Sequence, residues 1–258
     1  PQVLSKGLEV LEKRSASSRP LFLWIHFYDI HSEYLDHPGQ TSFGKERLDT
    51  YDGEILFTDG HVGRFLAALF AEKNRQQIVL LTADHGDGFQ SDRGRLNHGY
   101  GLWNEQIHVP MVVWAPGAEP RRVDTPVSNL DIMATALNAA GIEARDVMGR
   151  SLFPYLYEGF RDPDRIVFAI EPYREGAVWH ERSVAIGMRW RLHRFKRDGQ
   201  QALHDFDSDP GEKVNLVRKQ PAVADALGKE LDDLVQQVDA YRLRYERAPD
   251  EPVRPNTR

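Results

Sequence analysis

The chain has 258 residues, of which 41% are hydrophobic and 28% charged, and its formal net charge is −6 at pH 7. This composition is that of an ordinary globular protein, and the negative net charge argues against a general nucleic-acid binder. The absence of cysteine excludes disulfides, thiolate metal ligands and a cysteine nucleophile within the chain, and no apolar run reaches the roughly 18–20 residues of a membrane span.

The first part of the chain predicts an α/β domain. Helical spacing of apolar residues predicts helices over 2–14, 48–69 and 130–140. Three apolar runs are typical of strands that are covered on both faces in a parallel sheet: 21–27, 78–83 and 109–115. Because strands and helices alternate along this region, we expect a layered α/β fold with a mostly parallel sheet.

The pattern changes after about residue 160. Short runs with alternating polarity predict an antiparallel sheet with one solvated face, formed by residues 166–170, 183–188, 189–195 and 201–206. A charged amphipathic helix over 221–247 is expected to cover that sheet. We therefore predict two domains, an α/β core over residues 1–160 and a small antiparallel-sheet subdomain with a helix over residues 161–258.

Polar residues follow two of the predicted strands. Ligands of α/β sheets gather beyond the carboxyl ends of strands, and Asp84 and His85 come directly after the run 78–83. A carboxylate oxygen and a neutral imidazole nitrogen are both good ligands for divalent cations, but two ligands are too few for a catalytic metal. The alternative is that Asp84 caps a turn and His85 is an exposed loop residue.

Further histidines lie near these positions. His31 follows the run 21–27 and is a candidate for function, whereas His37 is predicted to lie on the surface. His98 lies in the glycine-flanked stretch LNHGYG, where it could bind an anionic oxygen or donate a proton to a leaving group. The alternative for His98 is an exposed loop histidine. Glu54 is predicted to lie on the outer face of a helix.

Several segments together resemble the sulfatase family of the alkaline phosphatase superfamily. These segments, in chain order, are LFLWIHFYDIHSEY, YDGEILFTDGHVGRFLAAL, IVLLTADHGDG, NHGYGLWNEQIHVPMVVWAPG, VSNLDIMATALNAAGI, GRSLFPYL and ALHDFDSDPGEKVNL. The resemblance covers nearly the whole chain. It implies an alkaline-phosphatase-like fold and a metal-dependent sulfuric ester hydrolase that acts on a small anionic ester.

The resemblance also implies residue roles. Asp84 and His85 match the family's metal-binding pair, and His98 matches a Lys or His position that contacts the anionic group and the leaving oxygen. His31 matches the histidine of a PH-x-P-Y motif that lines the substrate, although Ile30 and Glu33 replace the two prolines. One divalent metal is expected. The family's usual ion is calcium, and manganese or zinc become alternatives because His85 replaces an asparagine and adds a nitrogen ligand.

Other family elements are missing from the sequence. The family's nucleophile is a formylglycine made from Cys or Ser in a C/S-x-P-x-R motif, and this motif, a paired acidic metal site and a lysine-bearing segment are all absent. The chain also starts at Pro1 within an amphipathic pattern. We therefore expect a C-terminal fragment, inactive alone, whose partner is the missing N-terminal half of the same protein.

Two alternatives differ from this interpretation. A two-metal phosphoesterase or phosphomutase of the same superfamily would need an Asp-x-x-x-His ligand set, and the nearest candidate, Asp59-Gly60-His61, has the wrong spacing. The second alternative is a non-catalytic binding or structural module, since the chain lacks the nucleophile and half of the metal ligands.

Overall fold

The computed structural model describes most of the chain and divides it into two units. The described residues are 2–14, 19–31, 33–73, 75–89, 98–99, 101–175, 178–195 and 199–245. The first unit comprises residues 1–78 and the second residues 79–258. The predicted domain boundary at residue 160 falls inside the second unit and stays a prediction. Among the described residues, no helix combines the length and apolar content that crossing a bilayer requires.

Two helices form the first unit, as predicted. Helix α1 (Gln2–Arg14) packs on helix α2 (Arg47–Ala71) through a small apolar core. Leu4, Leu11 and Phe65 are its buried members. The core explains the helical spacing of the apolar residues, because burial of one face of each helix stabilises both.

The segment 21–27, which was predicted as a buried strand, is not assigned as a strand. Its side chains alternate instead: Leu23, Ile25 and Phe27 pack against the core of the first unit. Phe22 and Trp24 are 72% and 67% exposed. The prediction was wrong because an unbroken apolar run indicates low polarity on both faces but does not show whether a partner strand covers them.

Two further predictions about the first unit are also wrong. Glu54 is buried, with 3% exposure, rather than on an outer helix face. Its Oε1 accepts the Leu35 backbone N–H at 3.2 Å and lies 3.1 Å from His37 Nε2. The His37 ring also stacks on Phe57 at 3.7 Å between ring centroids, so this histidine is not a free surface residue. A long-range contact of this kind leaves no mark in the local pattern.

The second unit begins with a short two-stranded sheet. Strand β1 (Val79–Thr82) pairs with strand β2 (Met111–Trp114), and helix α3 (Asn104–Ile107) precedes β2. The pair is antiparallel, with Thr82 opposite Met111, so the predicted mostly parallel sheet is not found among the described residues. Apolar runs report burial but carry no information about strand direction.

Two helices follow, α4 (Asp131–Ala139) and α5 (Phe153–Tyr157). Helix α4 matches the predicted helix over 130–140, and Gly141 follows it at φ +68°, a conformation that favours glycine. The Ser128 backbone N–H donates to Asp131 Oδ2 at 2.8 Å, a contact that ties the start of the helix to the preceding loop.

The C-terminal part forms the predicted antiparallel sheet and helix. Four strands pair in sequence order, namely β3 (Val167–Glu175), β4 (Val178–Ile186), β5 (Trp190–Phe195) and β6 (Gln200–Asp205). Helix α6 (Pro221–Tyr245) covers one face. Leu192, Leu203 and Leu231 are fully buried at this contact. The prediction that the other face is solvated is wrong for β5 and β6, because Arg191, His193 and His204 on that face are buried as well.

A buried polar group lies next to this core. His193 Nε2 lies 2.9 Å from Glu212 Oε1, and Glu212 Oε2 accepts the Asn104 backbone N–H at 2.8 Å. His204 is 3% exposed, and neither of its ring nitrogens makes a hydrogen bond. Burial lowers the pKa of His204, and the neighbouring His193 lowers it further, although Glu212 and Asp209 act in the opposite direction.

Stability is therefore expected to fall in mild acid. The pKa of His204 is lower in the folded chain than its unfolded value of about 6.5. As the pH falls below that value, the unfolded state takes up the proton first, and the free energy of unfolding decreases. Urea unfolding midpoints between pH 7 and pH 5 measure this loss, which His204→Phe should reduce. Equal pH slopes for wild type and variant would contradict the assignment.

A second loss is expected at lower pH. Burial is the largest single influence and would raise the pKa of Glu212, but His193, the Asn104 backbone N–H and His204 together outweigh it, and the pKa lies below its ordinary value. The stabilisation from ionised Glu212 is complete above the unfolded pKa of about 4.3 and disappears as the pH falls through the folded value. The two acid transitions therefore occupy different pH ranges.

Candidate active site at the end of strand β1

Asp84 and His85 follow strand β1 directly, as the sequence predicts. Asn129 holds the end of the strand: its Nδ2 donates to the Ala83 carbonyl at 2.9 Å, and its Oδ1 accepts from Thr82 Oγ1 at 3.0 Å. Asp84 Oδ1 accepts the His85 backbone N–H at 3.0 Å. The hydrogen bonds of Asn129 thus fix the backbone at the end of β1, directly before Asp84, the first candidate ligand.

The tautomer of His85 follows from its hydrogen-bond partner. Its Nδ1 lies 3.1 Å from the Gly86 carbonyl oxygen, which can only accept, so Nδ1 carries the hydrogen. The neutral ring then has its lone pair on Nε2, the form in which histidine binds metals. His85 Nε2 lies 3.7 Å from Asp84 Oδ2, and both side chains are accessible to solvent.

Gly86 brings this turn into contact with helix α3. Its backbone N–H donates to the Gln106 carbonyl at 2.8 Å. A Cβ at position 86 would lie 2.3 Å from the Glu105 carbonyl oxygen, closer than van der Waals contact allows. The backbone between His85 and Asp87 therefore needs a residue without a side chain.

We expect Gly86→Ala to destabilise the second unit by about 1–3 kcal/mol, because a backbone atom must move to make room. The displacement also shifts His85 and Asp87. Thermal unfolding of the purified chain measures the effect. The matched control is Gly53→Ala on helix α2, where a Cβ meets nothing within 4 Å and alanine is the better helix former. An unchanged Tm for Gly86→Ala would contradict the close approach.

The His98 ring lies next to the His85 ring. The two ring centroids lie 4.1 Å apart. His98 Nδ1 lies 2.7 Å from Oδ1 of Asp87, whose side chain is 5% exposed. One ligand atom each from His85, Asp87 and His98 lie within 4.8 Å of one another. The structure thus brings together three of the four predicted site residues: Asp84, His85 and His98.

The fourth predicted site residue, His31, belongs to the first unit. Its ring stacks on Tyr28, with centroids 4.7 Å apart and an interplanar angle of 18°. The predicted role of His31 in substrate binding stays a prediction.

Sequence reasoning missed three residues of this site. The sequence analysis does not single out Asp87, although this residue stands in the same TADHGD stretch as Asp84. Its contact with His98 joins residues eleven positions apart. Gly86 follows the candidate His85, and a glycine there indicates close approach of the backbone, so it could have been predicted from the sequence. Asn129 carries no local signal, because its partners Thr82 and Ala83 lie far away in the sequence.

The donors suit a divalent cation. Carboxylate oxygens and neutral imidazole nitrogens, brought together at one solvent-accessible edge, form the mixed oxygen and nitrogen set that transition-metal ions accept. Asp84 and His85 offer one donor of each kind, and Asp87 and His98 lie next to them. The residues present therefore fit a divalent metal.

Comparison with known families decides the classification. The family model described as Sulfatase matches residues 2–142, more than half of the chain. The chain belongs to the sulfatase family. A second model, described as N-sulphoglucosamine sulphohydrolase, C-terminal, matches residues 98–239. The resemblance inferred from the sequence motifs is thus confirmed, and the match to a C-terminal family segment agrees with it.

Curated relatives of this sulfatase-family chain are considerably longer. An uncharacterized sulfatase YidJ of Escherichia coli is 26% identical over 193 residues, which cover 72% of this chain and 37% of the relative. A Δ4,5-hexuronate-2-O-sulfatase of Bacteroides thetaiotaomicron is 28% identical over 201 residues, covering 70% and 40%. The chain therefore spans a little over a third of the length of these relatives.

Solved structures show the same fold. The crystal structure of yidJ from Bacteroides fragilis superimposes with a TM-score of 0.75 at 18% identity, covering 92% of this chain and 58% of that one. A phosphonate monoester hydrolase of Silicibacter pomeroyi superimposes with a TM-score of 0.57 at 25% identity, covering 76% and 41%. The chain therefore has part of the sulfatase fold, which is of the alkaline phosphatase type.

Proposed function

We propose that this chain forms the metal-facing and anion-facing part of a hydrolase of sulfate esters. The observation that carries the proposal is the gathering of Asp84, His85 and His98 at the end of strand β1 in a sulfatase-family chain. The substrate class is a small anionic ester.

Asp84 and His85 hold one divalent cation in this proposal. The 3.7 Å separation of their donor atoms and the lone pair on His85 Nε2 support it. When bound, such a cation polarises the ester oxygens and stabilises negative charge that develops on them. The family resemblance favours calcium, whereas the nitrogen ligand suits manganese or zinc.

His98 acts on the ester itself. With Nδ1 directed at Asp87, the opposite ring nitrogen, Nε2, is the atom that contacts substrate. A protonated Nε2 binds the anionic group and donates its proton to the leaving alcohol oxygen, and general acid catalysis of this kind contributes about 10²–10⁴ in rate.

We infer that the 258-residue chain does not turn over substrate alone. The sequence contains no cysteine and no S-x-P-x-R stretch, so it offers no residue from which the family's formylglycine nucleophile could form. A non-catalytic binding module would show the same inactivity alone but would stay inactive when the chain is extended.

The decisive experiment compares this chain with a version extended by the coding sequence that precedes Pro1 in its parent gene. Both are assayed with aryl sulfate, aryl phosphate and aryl phosphonate monoesters. We expect sulfate hydrolysis by the extended protein and none by the 258-residue chain. A preference for phosphate or phosphonate esters would overturn the proposed substrate class. Activity of the 258-residue chain would overturn the inference that it is inactive alone.

Metal analysis of the extended protein tests the cation. We expect one tightly bound divalent ion per chain, loss of activity with a chelator, and weaker binding in Asp84→Asn. The control is Asp124→Asn, which removes the same charge from an exposed carboxylate paired with Arg122. Two tightly bound ions would favour a two-metal phosphoesterase instead.

A further inference from the structure

The partner of His98 is an almost fully buried carboxylate. Asp87 is 7% exposed, and its Oδ1 lies 2.7 Å from His98 Nδ1, whereas the neighbouring Asp84 side chain is 64% exposed. Burial of a carboxylate is costly unless strong hydrogen bonds satisfy it. The contact with His98 is short enough to be a charge-assisted hydrogen bond, which is stronger and more directional than a neutral one.

This contact fixes which nitrogen of His98 carries hydrogen. An ionised carboxylate only accepts hydrogen bonds, so Nδ1 is the donor. Nε2 then lies on the opposite side of the ring from Asp87. If Nδ1 lost its hydrogen, its lone pair would face the carboxylate oxygen, and the contact at 2.7 Å would become repulsive.

The neighbouring His85 is held in the same way by a different acceptor. Its Nδ1 donates to the Gly86 carbonyl at 3.1 Å, and its ring lies 4.1 Å from that of His98. Both rings are therefore fixed through Nδ1. Asp87 and the Gly86 carbonyl belong to one short stretch of backbone, so the two imidazoles are oriented by adjacent residues.

We propose that Asp87 is the positioning residue of His98: it holds the ring with Nδ1–H on its carboxylate, so that Nε2, which carries a second proton in the imidazolium form, faces the anionic ester. The inference deepens the proposed function and rests on it for the role of Nε2. In this proposal Asp87 acts on the ester through His98.

The first test reads the tautomer directly and needs no turnover. The 258-residue chain is labelled with ¹⁵N in the histidine rings, and long-range ¹H–¹⁵N correlation spectra show which nitrogen carries hydrogen, with His98→Gln providing the assignment. We expect the Nδ1–H form in wild type and its loss in Asp87→Asn. The control Asp124→Asn should leave the His98 signals unchanged. Unchanged His98 signals in Asp87→Asn would overturn the proposal.

Two further measurements separate positioning from folding. Asp87→Glu keeps the carboxylate, so partial recovery of the Nδ1–H form supports positioning, whereas a result identical to Asp87→Asn overturns it. If Asp87→Asn fails to fold, as judged by the signals of the remaining histidines, Asp87→Glu alone decides.

Steady-state kinetics of the extended protein provide a second test of the positioning role. We expect Asp87→Asn to lower kcat about 10–100-fold with little change in KM, and to have no additional effect in a His98→Ala background, because the residues act as one unit. Additive losses would overturn the positioning role. Absence of hydrolysis in the extended wild type would overturn the proposed function alone, since the tautomer measurement stands independently of it.

Discussion

Replacing His98 with alanine in the extended protein is expected to lower kcat for aryl sulfate hydrolysis by about 10²–10⁴. The substitution removes the ring that donates a proton in the proposed function and leaves the proposed metal ligands, Asp84 and His85, in place. Initial rates across a range of substrate concentrations separate kcat from KM. We expect most of the loss in kcat, because proton donation stabilises the transition state more than the bound substrate.

The matched variant is His98→Lys. Family resemblance places Lys or His at this position, and an ammonium group can bind the anionic ester and donate a proton. Partial activity of the lysine variant beside an inactive alanine variant supports a chemical role. Full turnover of His98→Ala, with an unchanged Tm, would show that the assignment is wrong.

Removal of Asp131 is expected to cause the largest loss of stability, about 3–5 kcal/mol. Its side chain is fully buried, and both carboxylate oxygens lie 2.7 Å from Nη2 of Arg165, which is also buried. Asp131 also accepts the backbone N–H groups of Ser128 and Arg150, each at 2.8 Å. Asp131→Ala leaves the guanidinium charged and without its carboxylate in the interior.

Urea unfolding of the 258-residue chain measures this loss. Arg122→Ala is the control, because it breaks an exposed pair with Asp124 and should produce little measurable change. The double variant Asp131→Ala, Arg165→Ala should be more stable than the sum of the single losses predicts, since no unpaired charge is left. A change below about 1 kcal/mol in Asp131→Ala would contradict the importance of the pair.

Local patterns predicted much of this fold. The spacing of Leu4, Leu11 and Phe65 predicted α1 and α2, and the alternating polarity around Leu192 and Leu203 predicted the antiparallel C-terminal sheet. These predictions succeed because each pattern records burial of one face of one element.

Features that depend on a distant partner could not be predicted. The direction of β2 relative to β1, the burial of Glu54 and the contact between Asp87 and His98 all join residues well separated in the sequence. The position of Asp84 and His85 was predictable, because the end of an apolar run fixes where a strand stops. Which carboxylate contacts His98 depends on the conformation of the chain between strand β1 and His98, and the local sequence pattern does not encode that conformation.

The antiparallel pairing of β1 and β2 has a consequence for variation of the site. Thr82 stands opposite Met111, so the chain that leaves β1 with Asp84 and His85 returns to the neighbouring position of the same sheet. Closure of such an excursion costs entropy that grows only logarithmically with its length, by roughly 0.6 kcal/mol for each doubling. Extra residues can therefore be inserted into this excursion at small cost in closure entropy, provided that the contacts of Gly86, Asp87 and His98 are kept, while the paired strands stay unchanged.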